Sequence, residues 1–283
     1  MQTDDTTPSL AKTLADLQAQ GLDRLDAQLL LLHVLDIPPT QRGWLLAHDI
    51  DLLPPDCSQA LEALAQRRLA GEPLAYLTGS KAFYGLNLQV SPDVLVPRPD
   101  TETLVDWALE VLPGDAATVL DLGTGSGAIA LALKATRPEL QIWATDMSPT
   151  ALAVAQTNAQ HLQLDLQFAQ GPWLAALPAN ASLFDCIVSN PPYIAEGDTH
   201  LPALAFEPQQ ALTSGADGLD DLRQIIASAT AHLKPGGWLL LEHGFDQAAA
   251  VKHLLAQNGF DQVQSRRDLA GIARCSGGQR PAQ

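Results

Sequence analysis

The segment Asn190-Pro191-Pro192-Tyr193 sets an amide side chain, two stiff residues and an aromatic ring directly after the apolar run Phe184-Asp185-Cys186-Ile187-Val188-Ser189. Each proline holds its own φ at about −65° and restricts the residue before it, so Asn190 and the adjacent main-chain carbonyls are fixed in advance. Acceptors arranged in this way suit a planar nitrogen that carries two hydrogens, such as an amide or an exocyclic amine. The lone pair of such a nitrogen is delocalised and weakly nucleophilic. If the Asn190 side-chain carbonyl and the Pro191 main-chain carbonyl accept its hydrogens, the nitrogen can pyramidalise and aim its lone pair at a methyl group roughly 3 to 3.5 Å away. Pro192 stiffens the turn, and Tyr193 is placed to stack on the planar group. The chemistry asks for placement and calls for neither a metal nor a catalytic histidine.

A second group of residues describes the partner in such a transfer. Val119 to Ala130 reads as an apolar strand, the turn Gly123-Thr124-Gly125-Ser126-Gly127, and a helix rich in Ala, Ile and Leu. Glycines there let the backbone approach a ligand closely. About twenty residues on, Trp143-Ala144-Thr145-Asp146 ends the next strand with a carboxylate suited to a ribose diol. Together they outline a nucleoside pocket. Gly123, Gly125 and Ala128 also satisfy the looser pattern of dinucleotide-binding proteins, so the turn by itself leaves the cofactor open. A dinucleotide would bring a pyrophosphate to the helix N-terminus, whereas S-adenosylmethionine brings an amino acid and a sulfonium. The planar-nitrogen clamp favours S-adenosylmethionine, with S-adenosylhomocysteine as product. An NAD-dependent oxidoreductase would leave Asn190 to Tyr193 without a use.

These residues need a scaffold that brings strand ends together. From Ala117 onward, strand-like runs at Thr118 to Leu122, Gln141 to Thr145, Leu166 to Ala169, Cys186 to Ser189 and Trp238 to Glu242 alternate with helical stretches. That rhythm predicts an open, largely parallel α/β sheet covered by helices on both faces, with ligands at the carboxyl ends of its strands. Earlier in the chain, Leu10, Leu14 and Leu17, then Leu25, Leu29 and Leu32, then Leu61 and Leu64 recur at helical spacing. They predict short helices punctuated by Gly21, Pro38-Pro39 and Pro54-Pro55, with Ser58 as an N-cap. Leu86, Leu88 and Val90 alternate before Ser91-Pro92-Asp93 and the run Val94-Leu95-Val96, which predicts a β-hairpin. The expected organisation is a helical domain over residues 1–76, a hairpin linker over 77–98, and the ligand-binding domain over 99–283.

Composition narrows the partner. The 283 residues carry 16 Lys and Arg against 32 Asp and Glu, a formal charge of −16, which repels bare phosphate backbones and weighs against direct nucleic-acid binding. Cys57, Cys186 and Cys275 are far apart and form no Cys-x-x-Cys pair, which argues against zinc and disulfides and fits a reducing cytoplasm. Met1 to Pro8 is polar and acidic, unlike a secretion signal, and no apolar run reaches the roughly 18 residues of a membrane span. An adenine-N6 methyltransferase acting on DNA or RNA remains an alternative, because the same clamp holds an exocyclic amine.

With Pro97-Arg98-Pro99-Asp100-Thr101-Glu102, the glycine turn, Asn190-Pro191-Pro192-Tyr193 and Phe206-Glu207-Pro208 in one order, the chain resembles the release factor glutamine methyltransferases, the HemK/PrmC family. Gly71-Glu72-Pro73-Leu74-Ala75-Tyr76-Leu77-Thr78-Gly79 and Leu239-Leu240-Leu241-Glu242-His243-Gly244 extend the resemblance over nearly the whole length. It implies a class I, Rossmann-like methyltransferase sheet with a small all-helical N-terminal domain that engages the substrate, and a β-hairpin linker. It also implies N5-methylation of the glutamine in the Gly-Gly-Gln loop of class 1 peptide chain release factors. Position by position, Gly123 to Gly127, Asp146 and Trp173 match cofactor contacts. Asn190 to Tyr193 match the glutamine clamp, with Asn190 also at the cofactor. Relatives carry an acidic residue just before the Trp173 position, where this chain has Pro172. Glu207 and the segment from Ile194 to Gly218 read as a lid or as an ordinary surface loop. Glu242-His243 reads as structural, and Gly277-Gly278-Gln279, the implied target tripeptide within this chain's own sequence, reads as coincidence.

Overall fold

The computed structural model describes residues 7–114 and 116–282, and the chain divides into two compact units, residues 1–79 and 80–283. Residues 1–6 of the acidic N-terminal stretch lie outside the described residues.

The first unit is helical: α1 Leu10–Ala19, α2 Arg24–Val34, α3 Trp44–Ala47, α4 Pro55–Leu69 and α5 Leu74–Thr78. Ser9 caps α1, its hydroxyl accepting from the Lys12 amide at 3.3 Å. The expected cap at Ser58 is not used. Helix α4 begins at Pro55, since proline at the first helical position lacks only an N–H that would have no intrahelical partner there. Along α2 the buried residues are Ala27, Leu30, Leu31 and Leu32, whereas Leu25, expected on the inner face, is 48% exposed. Four consecutive leucines satisfy more than one helical face, so spacing alone could not choose between them. The Arg68 guanidinium on α4 reaches Asp26 on α2 at 2.6 Å.

The second unit opens with an antiparallel hairpin, β1 Ser80–Phe83 and β2 Leu86–Gln89, closed by Tyr84 and Gly85, both at positive φ. The hairpin is therefore earlier in the chain than the alternation at 86–96 suggested, and Val94 to Val96 form no strand. A seven-stranded sheet follows, in the order β5-β4-β3-β6-β7-β9-β8. Its strands are β3 Thr118–Leu122, β4 Gln141–Asp146, β5 Gln167–Gln170, β6 Phe184–Ser189, β7 Leu233–Glu242, β8 Asp261–Arg267 and β9 Ala273–Gln279. β3 to β7 are parallel, and β9 runs antiparallel to both neighbours.

The central strands β3, β6 and β7 are buried on both faces, as their apolar runs require. Val119, Ile142, Ala144, Val188 and Leu240 pack with α6 Glu102–Val111 and α7 Ala128–Thr136. Leu120, Leu122, Ile187, Leu239 and Leu241 face α9 Asp220–Ala229 and α10 Ala248–Gln257. Helix α8 Pro149–Leu162 follows β4. From β3 the chain winds outward through β4 to β5 and then returns to β6 on the other side. That reversal opens a crevice at the carboxyl ends of β3 and β6.

Candidate active site

The crevice is a cavity of about 430 Å³, within the range of small-molecule sites. Its wall at β3 is the glycine turn. Gly127 stands at φ +84 before α7, and a Cβ there would come within 2.9 Å of Leu131 Cδ1 and 3.3 Å of Ala155 Cβ. Gly123 lies under the Trp173 ring, where a Cβ would meet Cζ3 at 3.1 Å. Beneath the turn, Asp121 Oδ2 accepts the Thr124 hydroxyl at 2.6 Å and the Ala130 amide at 3.3 Å. Burial raises its carboxyl to about 7, against the pull of those bonds, and the Asp146 charge raises it further.

Asp146 closes β4 at the rim. Its Oδ2 accepts the Gly125 amide and its Oδ1 the Ser148 amide, both at 2.9 Å, leaving each oxygen a further lone pair for a ligand hydroxyl. Burial raises its pKa, and the amides oppose the shift. Past β5, Trp173 sits at φ +48, a left-handed conformation uncommon for a bulky residue, and donates from Nε1 to Asp221 Oδ1 at 3.2 Å. Position 172 carries no carboxylate here, and Asp221 from α9 borders the cavity together with Pro172 and Trp173.

The strand β6 delivers Asn190 to the opposite side, after Ser189 ties β6 to β3 through a 2.7 Å bond to the Leu122 carbonyl. Asn190 Nδ2 donates to the Thr101 hydroxyl at 3.3 Å, while its Oδ1 is buried and has no hydrogen-bond partner. Gly123 to Ser126, Asp146, Trp173, Asn190 and Pro192 all line the one cavity. Gly127, Pro191 and Tyr193 do not. The ring of Tyr193 packs instead on the core cluster beneath α9 and α10, and its hydroxyl reaches Glu242 Oε1 at 3.4 Å. Its main-chain carbonyl accepts Gln247 Nε2 at 2.9 Å. A stack of Tyr193 on a bound planar group is not preformed here.

Three further residues frame the site through contacts that the sequence did not display. Thr101 heads α6 and touches Asn190. Asn158 on α8 is buried and donates to the carbonyls of Ser126 and Gln89, binding the hairpin to the glycine turn. Glu207 is buried, pairs with Arg98 and accepts the Val96 amide at 3.1 Å, so the segment after the clamp is anchored at its middle. Beyond that anchor, Pro208, Gln210, Ala211 and Thr213 border the cavity. Thr101 and Glu207 each carried a signal, through the motifs that contain them. Asn158 acts through contacts distant in sequence.

Two family descriptions match the chain: the methyltransferase small domain over residues 101–264 and the PrmC N-terminal domain over residues 9–79. A release factor glutamine methyltransferase of Bordetella pertussis is 53% identical over 94% of this chain and 98% of its own length. One from Burkholderia pseudomallei is 48% identical, covering 98% and 99%. Among solved structures, a methyltransferase from Pyrococcus furiosus shares the fold at 19% identity, with a TM-score of 0.54 over 79% of this chain and 98% of that one. On these matches over nearly its full length, the chain belongs to the release factor glutamine methyltransferase family.

Proposed function

We infer that the protein transfers a methyl group from S-adenosylmethionine to the N5 nitrogen of the glutamine in the Gly-Gly-Gln motif of class 1 peptide chain release factors. The cytoplasm is its place of action, and S-adenosylhomocysteine is its product. The observation that carries this reading is the buried, unpartnered Asn190 Oδ1, on a residue lining the same cavity as the glycine turn and Asp146. A buried acceptor without a donor costs roughly 1–3 kcal/mol, and an incoming amide N–H relieves that cost.

When bound, S-adenosylmethionine supplies a methyl group made electrophilic by its positive sulfur. Asp146 accepts from the ribose hydroxyls, and the glycine turn admits the amino-acid portion close to the backbone. Trp173 covers the turn and, with Asp221, forms the wall for the base. Asn190 Oδ1 and the Pro191 carbonyl accept the two amide hydrogens, leaving the nitrogen lone pair directed at the methyl group. The prolines keep those acceptors from relaxing away before the substrate arrives. Residues 1–76 are assigned to engagement of the release factor, a role supported by Leu46, Ile50 and Leu52, which stand exposed on that unit.

The test is transfer of labelled methyl from S-adenosylmethionine with a release factor, duplex DNA or no added substrate. Label on the release factor glutamine alone is the expected result. Label on DNA would replace the reading with an adenine-N6 activity.

A further inference from the structure

S-adenosylmethionine is positive at its sulfur and at its amino group, and negative only at its carboxylate. The cavity walls carry the complementary set of charges. Asp93, Asp146 and Asp221 border the cavity, and among the described residues that do so Arg98 alone carries a positive charge. The ligand carboxylate therefore has two places to go: the main-chain amides of the glycine turn, or Arg98.

A glycine turn ahead of a helix is ordinarily a good place for an anion, because its amides point at the ligand. Here those amides are largely spent. The Thr124 amide donates to the Thr145 carbonyl at 2.9 Å, the Gly127 amide to the Thr124 carbonyl at 2.8 Å, and the Gly125 amide to Asp146 Oδ2 at 2.9 Å. Asp146 is itself an anion seated on the turn, so a second carboxylate there would also meet a like charge. The turn can lie close along the ligand without holding its negative end.

Arg98 is built for that task. Pro97 and Pro99 flank it, and its backbone is extended at φ −102°, ψ 144°. Its Nη2 donates to Glu207 Oε1, and Glu207 is fixed in turn: its side chain is 3% exposed and its Oε2 accepts the Val96 amide at 3.1 Å. A guanidinium has five N–H donors in a planar fork, and among the described residues only this bond to Glu207 uses one of them. The Arg98 side chain is 42% exposed, which leaves an edge open to a second carboxylate. Three residues on, Thr101 contacts Asn190, so this segment lies at the clamp, where the sulfur must be, rather than at the ribose side marked by Asp146. On the cofactor reading given above, we propose that Arg98 binds the carboxylate of the methionine portion of S-adenosylmethionine, and that the buried Glu207 holds the guanidinium in place for it.

The experiment is calorimetric binding of two ligands, S-adenosylhomocysteine and its decarboxylated form S-adenosyl-3-thiopropylamine, which differ only in the carboxylate. The unmodified protein should prefer S-adenosylhomocysteine by about tenfold to a hundredfold, the scale of a hydrogen-bonded charge pair. Arg98→Gln should weaken S-adenosylhomocysteine by that factor and leave the decarboxylated ligand within about twofold, so that the preference disappears. Arg98→Lys, which keeps the charge and loses the fork, should retain part of it. Since Arg98→Gln leaves the Glu207 carboxylate buried without its cation, the double variant Arg98→Gln, Glu207→Gln is measured beside it and should show the same loss of preference. Equal weakening of both ligands in both variants would overturn the proposal and make Arg98 a brace of the fold. Unchanged binding of S-adenosylhomocysteine would overturn it as well, and so would binding of neither ligand by the unmodified protein, which would take the cofactor reading with it. Because the readout is binding alone, a protein that showed the expected pattern yet failed to methylate a release factor would lose its proposed acceptor and keep this role for Arg98.

Discussion

The two sides of the cavity differ in how far folding has satisfied their polar groups. At the glycine turn, Asp146 accepts two main-chain amides, and the Thr124 hydroxyl is bonded to Asp121. The unpartnered Asp121 Oδ1 lies under that turn and does not border the cavity. Across the cavity, Asn190 lines the space and keeps a buried carbonyl with no donor, backed by Glu242 with another. The cofactor side is therefore complete once the chain has folded, whereas the clamp is completed only by a bound nitrogen. Mutations on the two sides should fail in different ways.

The largest effect is expected at the clamp. Asn190→Ala should lower kcat about a hundredfold to a thousandfold, the scale for removing one preorganised group from a transition state, while cofactor affinity stays within about twofold. Parallel losses of kcat and of cofactor affinity would erase the distinction between the two sides. Asp146→Asn should do the opposite. It should raise the dissociation constant of S-adenosylmethionine by roughly tenfold or more, as expected for hydrogen bonds to a charged acceptor, with little change in kcat at saturation. Next in size, Gly127→Ala should destabilise the fold by about 1–2 kcal/mol from its left-handed backbone alone, with the Leu131 contact adding to this. Urea unfolding without cofactor measures that loss, and an unchanged midpoint would mean the turn is not held as tightly as its contacts indicate.

The turn and the clamp differ also in how much of them the sequence displayed. The glycine turn, its flanking strand and helix, and Asp146 are local patterns, and the structure assembles them in one cavity with Trp173 and Asn190. The setting of the clamp was not local. Glu242 closes the run Leu239-Leu240-Leu241, where it reads as a strand end, and its partner Tyr193 is distant in the chain. Tyr193 read as a stacking ring because an aromatic after a proline pair has no local competitor for that use; in the fold a buried carboxyl competes for its hydroxyl. The pair β8 and β9 was missed since Gly277 and Gly278 are poor strand formers. They fit because they must: a Cβ on Gly277 would meet the Leu239 carbonyl at 2.6 Å. Gln279 is paired with Trp238, toward the end of β7 away from Glu242, and donates its side-chain amide to the Gly236 carbonyl at 2.7 Å. The tripeptide that matches the implied target is thus a strand end whose amide is already engaged.

The smallest effect separates the two buried carboxyls that support the two sides. Asp121 lies beneath the turn and Glu242 behind the clamp, and burial raises each to about 7. A carboxyl raised in the fold above its unfolded value, about 3.9 for aspartate, binds more protons folded than unfolded. Its contribution to stability is full below that unfolded value and is lost as pH rises through about 7. Asp121→Asn removes the titration and keeps an acceptor for Thr124. Between pH 5 and pH 8 its melting temperature should therefore fall less than that of the unmodified protein, which shares every other charge. Calorimetric melts of the two proteins without cofactor measure the difference in slope. Equal slopes would show that Asp121 stays ionised under the turn.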